Sequence, residues 1–225
     1  MKINPLHTWP RTPKAAIKFQ RKLAVQVHLC PVAAGARVVA GADVAFSPDG
    51  SQVIAGVVVC DLATRTVIEQ KLARVVCRFP YIPGLLSFRE LPAVLAAFRK
   101  LRTEPQVVLC DGQGLAHPRR IGLACHLGLW LERPTVGCAK SRLCGTYAEP
   151  PVEKGGFSPL LLDGEQVGVV LRTRTGVKPL FVSPGHLCDH ESAVRLTLAA
   201  TTRFRLPEPT RLAHQLVTRN RSSIT

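Results

Sequence analysis

The stretch from Gln106 to Gly122 joins an apolar run, too short for a helix, to a carboxylate at Asp111, then to a glycine-rich turn, then to a basic segment in which helical spacing resumes. It reads as strand, loop, helix. Loops at the carboxyl ends of central strands are where α/β folds place chemistry, so Asp111 sits where a buried strand meets solvent. A carboxylate there needs a partner: a metal ion, a cation, or the backbone donors of an Asx-type turn. Asp43 raises the same question from inside the apolar run Val38 to Phe46, where an unpaired acid is costly. Glu90 lies three residues after Ser87, which is capping-box spacing, and a metal site also wants a carboxylate at a helix start. Lys140 follows the short apolar run Pro134 to Cys138. At a strand end it can hold a phosphate or orient a water; its plainer reading is a surface lysine.

These residues need elements to position them. Helical spacing through Ala16, Phe19, Leu23 and Val27 predicts an amphipathic helix over about 13–29. Three β-branched runs follow, at about 36–46, 52–60 and 65–76, with turns at Pro48-Asp49-Gly50 and at 61–64, which predicts an antiparallel meander. A rigid loop from Phe79 to Leu86 leads into a helix with Phe88, Leu91, Leu95, Phe98 and Leu101 on one face. After the 106–110 strand, a helix over about 118–132, containing His126, and a fifth strand over 134–138 are expected. A Pro- and Gly-rich loop (148–159), strands at about 166–172 and 178–182, a turn at Ser183 to His186, a helix of about 189–204 capped by Asp189, and a last helix over about 209–219 complete the prediction.

The chain has 225 residues, 46% of them hydrophobic, and reads as one domain large enough for a core. The formal net charge is +15, from 30 Lys and Arg against 15 Asp and Glu. That favours a polyanionic partner, nucleic acid before an anionic membrane surface. Before Asp43 there is no acid at all, while Lys2, Arg11, Lys14, Lys18, Arg21, Lys22 and Arg37 are basic. The eight cysteines form no C-x-x-C pair and read as small buried hydrophobes of a reducing compartment. No secretory or bilayer-spanning segment stands out, so a soluble cytoplasmic monomer is expected.

Three antiparallel strands, helix, strand, helix, strand is the order of a ribonuclease-H-like α/β fold with a central mixed sheet. In that topology the fourth strand lies parallel to the first, making Asp43 and Asp111 neighbours. Carboxylates that close repel unless a cation sits between them, and hard divalent ions are the usual answer. Glu90 can complete such a cluster, which suits phosphoryl-transfer hydrolysis.

The chain resembles the endonuclease V family, deoxyinosine-directed DNA repair nucleases, across essentially its whole length. The motifs that carry the resemblance are Val39 to Val44, Pro80 to Glu90, Asp111 to Arg119, Gly137 to Ser141 and Leu206 to Arg211. A Pro-Tyr-Ile-Pro-Gly loop followed by an Asp-Gly-x-Gly-x-x-His-Pro loop is a specific pairing. Ala42, Ala45 and Phe46 depart from the Val, Ser and Tyr of many relatives and leave the ligand in place. The resemblance implies that Asp43, Glu90 and Asp111 bind Mg2+, with Mn2+ able to substitute. It implies that Lys140 assists catalysis, and that His214, ahead of His186 and His190, lies near the metal. Pro80, Tyr81, Ile82, Pro83 and Gly84 would form a wedge whose Tyr81 fills the gap left by the extruded lesion, with Gly84, Leu85, Gly112 and His117 lining the base pocket. The activity implied is hydrolysis of the second phosphodiester 3′ to deoxyinosine, leaving a 3′-hydroxyl and a 5′-phosphate. Inosine-containing single-stranded RNA is the alternative substrate. A non-catalytic nucleic-acid-binding module and a small-molecule phosphatase are weaker alternatives.

Overall fold

The computed structural model describes Met1, Ile3 and residues 5–221. Lys2, counted above among the N-terminal cations, lies outside the described residues. The elements in chain order are α1 (Pro13–Ala24), β1 (Val38–Phe46), β2 (Gln52–Asp61), β3 (Thr66–Val76), α2 (Leu86–Arg99), β4 (Val107–Cys110), α3 (Leu123–Leu131), β5 (Thr135–Ala139), β6 (Phe157–Leu162), β7 (Glu165–Leu171), β8 (Leu180–Pro184), α4 (His190–Ala199) and α5 (Glu208–Arg219). They build one eight-stranded mixed sheet in the order β3-β2-β1-β4-β5-β8-β7-β6, the ribonuclease-H-like architecture expected.

β1 pairs antiparallel with β2 and parallel with β4, with Ala42 opposite Cys110. The next residue on each strand is an acid, so the parallel register sets Asp43 beside Asp111. β2 is buried at every position from Val53 to Cys60. Alternate residues explain why: Val53, Ala55, Val57 and Val59 pack with α2 and α3, whereas Ile54, Val58 and Cys60 pack with Ala213 and Val217 of α5. A strand covered on both faces reads as a continuous apolar run. Further along the sheet, α4 covers the face carrying Val39, Leu109 and Val182.

Helix α2 contains Pro92 in its interior, which removes a helical hydrogen bond at a cost of about 3 kcal/mol. Leu91, Leu95 and Phe98 are almost completely buried, each worth roughly 1.5–3 kcal/mol, so tertiary packing outweighs that cost.

The boundaries differ from expectation in informative places. α1 closes at Ala24 rather than 29, because Val25 is exposed and the chain then turns to pair with the 186–187 turn, where Leu187 N–H donates to the His28 carbonyl at 2.7 Å. α3 starts at Leu123 rather than 118. Residues 112–122 instead fold back on themselves, with Gly122 N–H donating to the Gly114 carbonyl at 2.8 Å and Arg120 at φ 55°. α4 ends at Ala199, not 204. Ser183 and Pro184 belong to β8 rather than to a turn. β6 was not anticipated: Pro159 and the flanking glycines suggested loop. Its signal was the Asp163-Gly164 pair, both at positive φ, which closes a two-residue hairpin between Leu162 and Glu165.

α5 reaches the sheet through Gly41 and Gly56. A Cβ at Gly41 would lie 2.0 Å from the Pro209 carbonyl carbon, whereas one at Gly56 would first meet the Val217 side chain at 2.8 Å. Gly41→Ala should therefore destabilise by about 2–3 kcal/mol and Gly56→Ala by about 1 kcal/mol. Urea unfolding of the two variants checks the ranking, which the unequal rigidity of backbone and side-chain tip dictates.

Candidate active site

Asp43, inside β1 just past its last parallel pair with β4, and Asp111, immediately after β4, stand side by side, and Glu90 reaches them from the first turns of α2. The helix begins at Leu86 with no side-chain cap, so the capping-box reading of Glu90 fails. Ser87 instead turns inward, its hydroxyl 3.0 Å from His126 Nδ1. His126 Nε2 lies 2.7 Å from His7 Nε2, and burial drives the His126 pKa well below its ordinary value.

The three carboxylates feel one another. Burial first, then the charges of Asp43 and Asp111, push Glu90 up to about 8. Burial and Asp111 likewise raise Asp43, against the lowering effect of a hydrogen bond from His214 Nδ1, 2.7 Å from Asp43 Oδ2. Lys140, immediately after β5, donates from Nζ to Asp111 Oδ2. Arg205 donates to the Lys140 carbonyl at 2.9 Å, bracing the lysine from behind. Among the described residues no three acidic, imidazole or thiol groups are already gathered around a common metal position. Two of the three carboxylates are instead paired with protein side chains, Asp111 with Lys140 and Asp43 with His214. The donor set itself is all oxygen and mutually repelling, the chemistry that a hard divalent cation relieves.

Beside the carboxylates opens a cavity of about 340 Å³ that brings Glu90, Asp111 and Lys140 together with Tyr81, Pro83, Gly84, Gly112 and His117. Asp43 borders the adjoining cleft with Glu90 and Asp111. Tyr81 is 68% exposed at the tip of its loop. Pro80, Ile82 and Leu85 do not line the cavity. Ile82 and the buried Leu85 pack instead with Ala16, Phe79 and Phe88, which anchors the loop from beneath. His186 and His190 lie away from the cavity; His190 Nδ1 is buried without a partner among the described residues, beside a groove next to Phe157.

The sequence reading missed the anchor of the Tyr81 loop. Gly84, at φ 77°, presents its carbonyl to Gln20 Nε2 at 2.9 Å, Arg119 Nη2 at 2.8 Å and His117 Nε2 at 2.9 Å. His117 Nδ1 accepts from the Arg119 backbone N–H at 3.1 Å, so Nε2 carries the hydrogen and donates. Burial holds His117 down to about 4, neutral at neutral pH. Gln20 was invisible because it sits on the buried face of a helix read as amphipathic; a Gln at a buried helical position was its one signal. Gln113, Ser141, Arg142 and Leu143 also line the cavity, and Gln113 Nε2 donates to the Ser141 carbonyl at 2.9 Å.

Residues 21–215 match the family model for endonuclease V. The chain belongs to the endonuclease V family. A family member from Nostoc punctiforme is 50% identical over 217 residues, covering 96% of this chain and 98% of the relative. The crystal structure of endonuclease V from Streptomyces avermitilis superposes with a TM-score of 0.92 at 43% identity, covering 96% of this chain and 95% of that one. Endonuclease V from Ciona intestinalis, solved with a 23mer DNA containing an inosine followed by a ribo-adenosine, matches at 25% identity and a TM-score of 0.81 over 94% and 98% of the two chains. The chain is therefore a nuclease of this family. Among the described residues no helix is long and apolar enough to cross a membrane.

Glu90 supplies a pH test. Between its ordinary 4.5 and about 8 the folded protein keeps a proton that the unfolded chain has released, so this group's contribution to stability declines as pH rises through that window. Without added metal, the stability difference between Glu90→Gln and wild type should shift in favour of the variant from pH 5 to pH 8, by on the order of 3 kcal/mol. Urea titrations at the two pH values read it, and a pH-independent difference would contradict the stated electrostatics.

Proposed function

We propose that this nuclease recognises deoxyinosine in DNA and hydrolyses the second phosphodiester on its 3′ side, leaving a 3′-hydroxyl and a 5′-phosphate. The observation that carries the reading is one cavity shared by an exposed aromatic on a proline-stiffened loop and by two of the mutually repelling carboxylates, Glu90 and Asp111, with Asp43 in the adjoining cleft. An aromatic so placed stacks where a base has left the helix, offsetting a few kcal/mol of unstacking. The extruded base enters the cavity, where the backbone of Gly84 and Gly112 meets its edge. His117 contributes by holding the loop rather than by titrating, since both of its ring nitrogens are already engaged.

Asp43, Glu90 and Asp111 would hold Mg2+, or Mn2+ in its place. Bound there, such a cation supplies charge neutralisation of the scissile phosphodiester and acidification of an attacking water. Lys140, braced through Arg205, moves between Asp111 and a phosphate oxygen of the substrate. His214 keeps the Asp43 carboxylate oriented and partly neutralised. The charge of +15 provides the phosphate grip that extruding a base and cutting at a distance require.

The test is nicking of an end-labelled duplex with a single deoxyinosine. Product on the 3′ side is expected with Mg2+ and not with EDTA, and Asp43→Ala should abolish it. Tyr81→Ala should retain cleavage while losing about 1–3 kcal/mol of stacking, roughly 10- to 100-fold in kcat/KM. Faster cleavage of a matched inosine RNA would move the substrate assignment to RNA. Binding without cleavage of either would leave a nucleic-acid-binding module.

A further inference from the structure

Helix α1 carries charge that the hydrolytic site does not use. Arg11, just before it, and Lys14, Lys18, Arg21 and Lys22 are all exposed. At about 100° per residue they fall within roughly one 100° arc, opposite the buried face formed by Ala16, Gln20 and Leu23. None of the five makes a salt bridge among the described residues. Arg21 and Lys22 in the last turn complement the helix dipole, but Lys14 in the first turn opposes it, and no acid stands there to compensate. Helix stability thus explains only part of the pattern; an external anion explains all of it.

The position of the helix says which anion. Ala16, Ile17 and Phe19 pack against Phe79, Ile82, Leu85 and Phe88, so α1 is the platform under the Tyr81 loop. Gln20 reaches from the same helix to the Gly84 carbonyl. Arg21 lies close enough to Arg119, at the loop anchor, to help lower that guanidinium's pKa. The loop and α1 are thus packed together beside the carboxylates, and Gln20 of α1 lines the same cavity as Tyr81, Glu90 and Asp111.

We infer that the basic face of α1 binds the phosphodiester backbone of the DNA strand on the 5′ flank of the lesion, the side away from the cut. This rests on the proposed 3′ cleavage for the identity of the flank, though not for the phosphate binding itself. Anchoring the 5′ flank on the helix that also holds Gly84 couples phosphate grip to the seating of the wedge.

The test uses the full chain with Lys14, Lys18, Arg21 and Lys22 replaced together by Gln, which keeps helix propensity and relieves the Lys14 conflict with the dipole. Binding to a deoxyinosine duplex in EDTA is followed by anisotropy across a salt series, with duplexes shortened on the 5′ or the 3′ flank. The expected result is a log K against log salt slope smaller in magnitude by about 2–4, at about 0.9 per lost phosphate contact, and a Kd raised roughly 10- to 100-fold. Shortening the 5′ flank should weaken the wild type but not the variant, and the kinetic loss should appear in KM rather than in kcat. An unchanged slope and Kd, with the variant's thermal melt matching wild type, overturns the inference; so does an equal response to shortening either flank. If the wild type fails to cut deoxyinosine DNA, the functional reading falls, while the salt slope on unmodified duplex still decides whether α1 binds phosphates.

Discussion

The site depends on one constraint, the parallel pairing of β1 with β4. It places Asp43 and Asp111 side by side, just past the last paired residues of two apolar strands, where both are only partly exposed. Everything nearby answers that repulsion. Glu90 retains a proton well above its ordinary range, Lys140 turns back onto Asp111, and His214 arrives on α5 to pair with Asp43. α5 comes close enough only because Gly41 and Gly56 leave the strand surface bare. The hydrophobic effect assembles the layers, but the residues that carry function are set by how this group of acids is compensated.

The second organising feature is mechanical. The loop around Tyr81 is stiffened by Pro80 and Pro83, weighted underneath by Ile82 and Leu85, and closed by three donors on the Gly84 carbonyl. Two of those donors come from the segment that follows Asp111, and the third from α1. A displacement of the loop is therefore felt at the catalytic strand end and at the N-terminal helix together. In the proposed function this gives base extrusion and phosphate contact a shared support, with a buried neutral histidine, His117, at its centre.

Much of this was legible in the sequence, for physical reasons. The meander and the two parallel strands are marked by runs of β-branched residues with turn chemistry between them, and Asp43, Asp111 and Lys140 stand out because charged residues adjoin apolar strands. What was not legible depended on tertiary partners. Glu90 matched a capping box in spacing, yet Ser87 found His126 instead, and only packing between α2 and α3 decides that. β6 was hidden by Pro159 within it, although Asp163-Gly164 marked its turn. Gln20 and Arg119 could not be paired with Gly84 because 64 and 35 residues separate them from it along the chain.

The central claim is that Asp43, Glu90 and Asp111 form one divalent-cation site. Calorimetric titration of Mn2+ into the wild type and into Asp43→Asn, Glu90→Gln and Asp111→Asn tests it without relying on turnover, with Asp189→Asn, at the cap of α4, as the control. The account predicts that each of the three substitutions weakens binding by about tenfold or more, about 1.4 kcal/mol, while the control binds as the wild type does. Wild-type affinity in Glu90→Gln would contradict it, because the residue whose proton the cluster most strongly retains would then have no part in holding the ion.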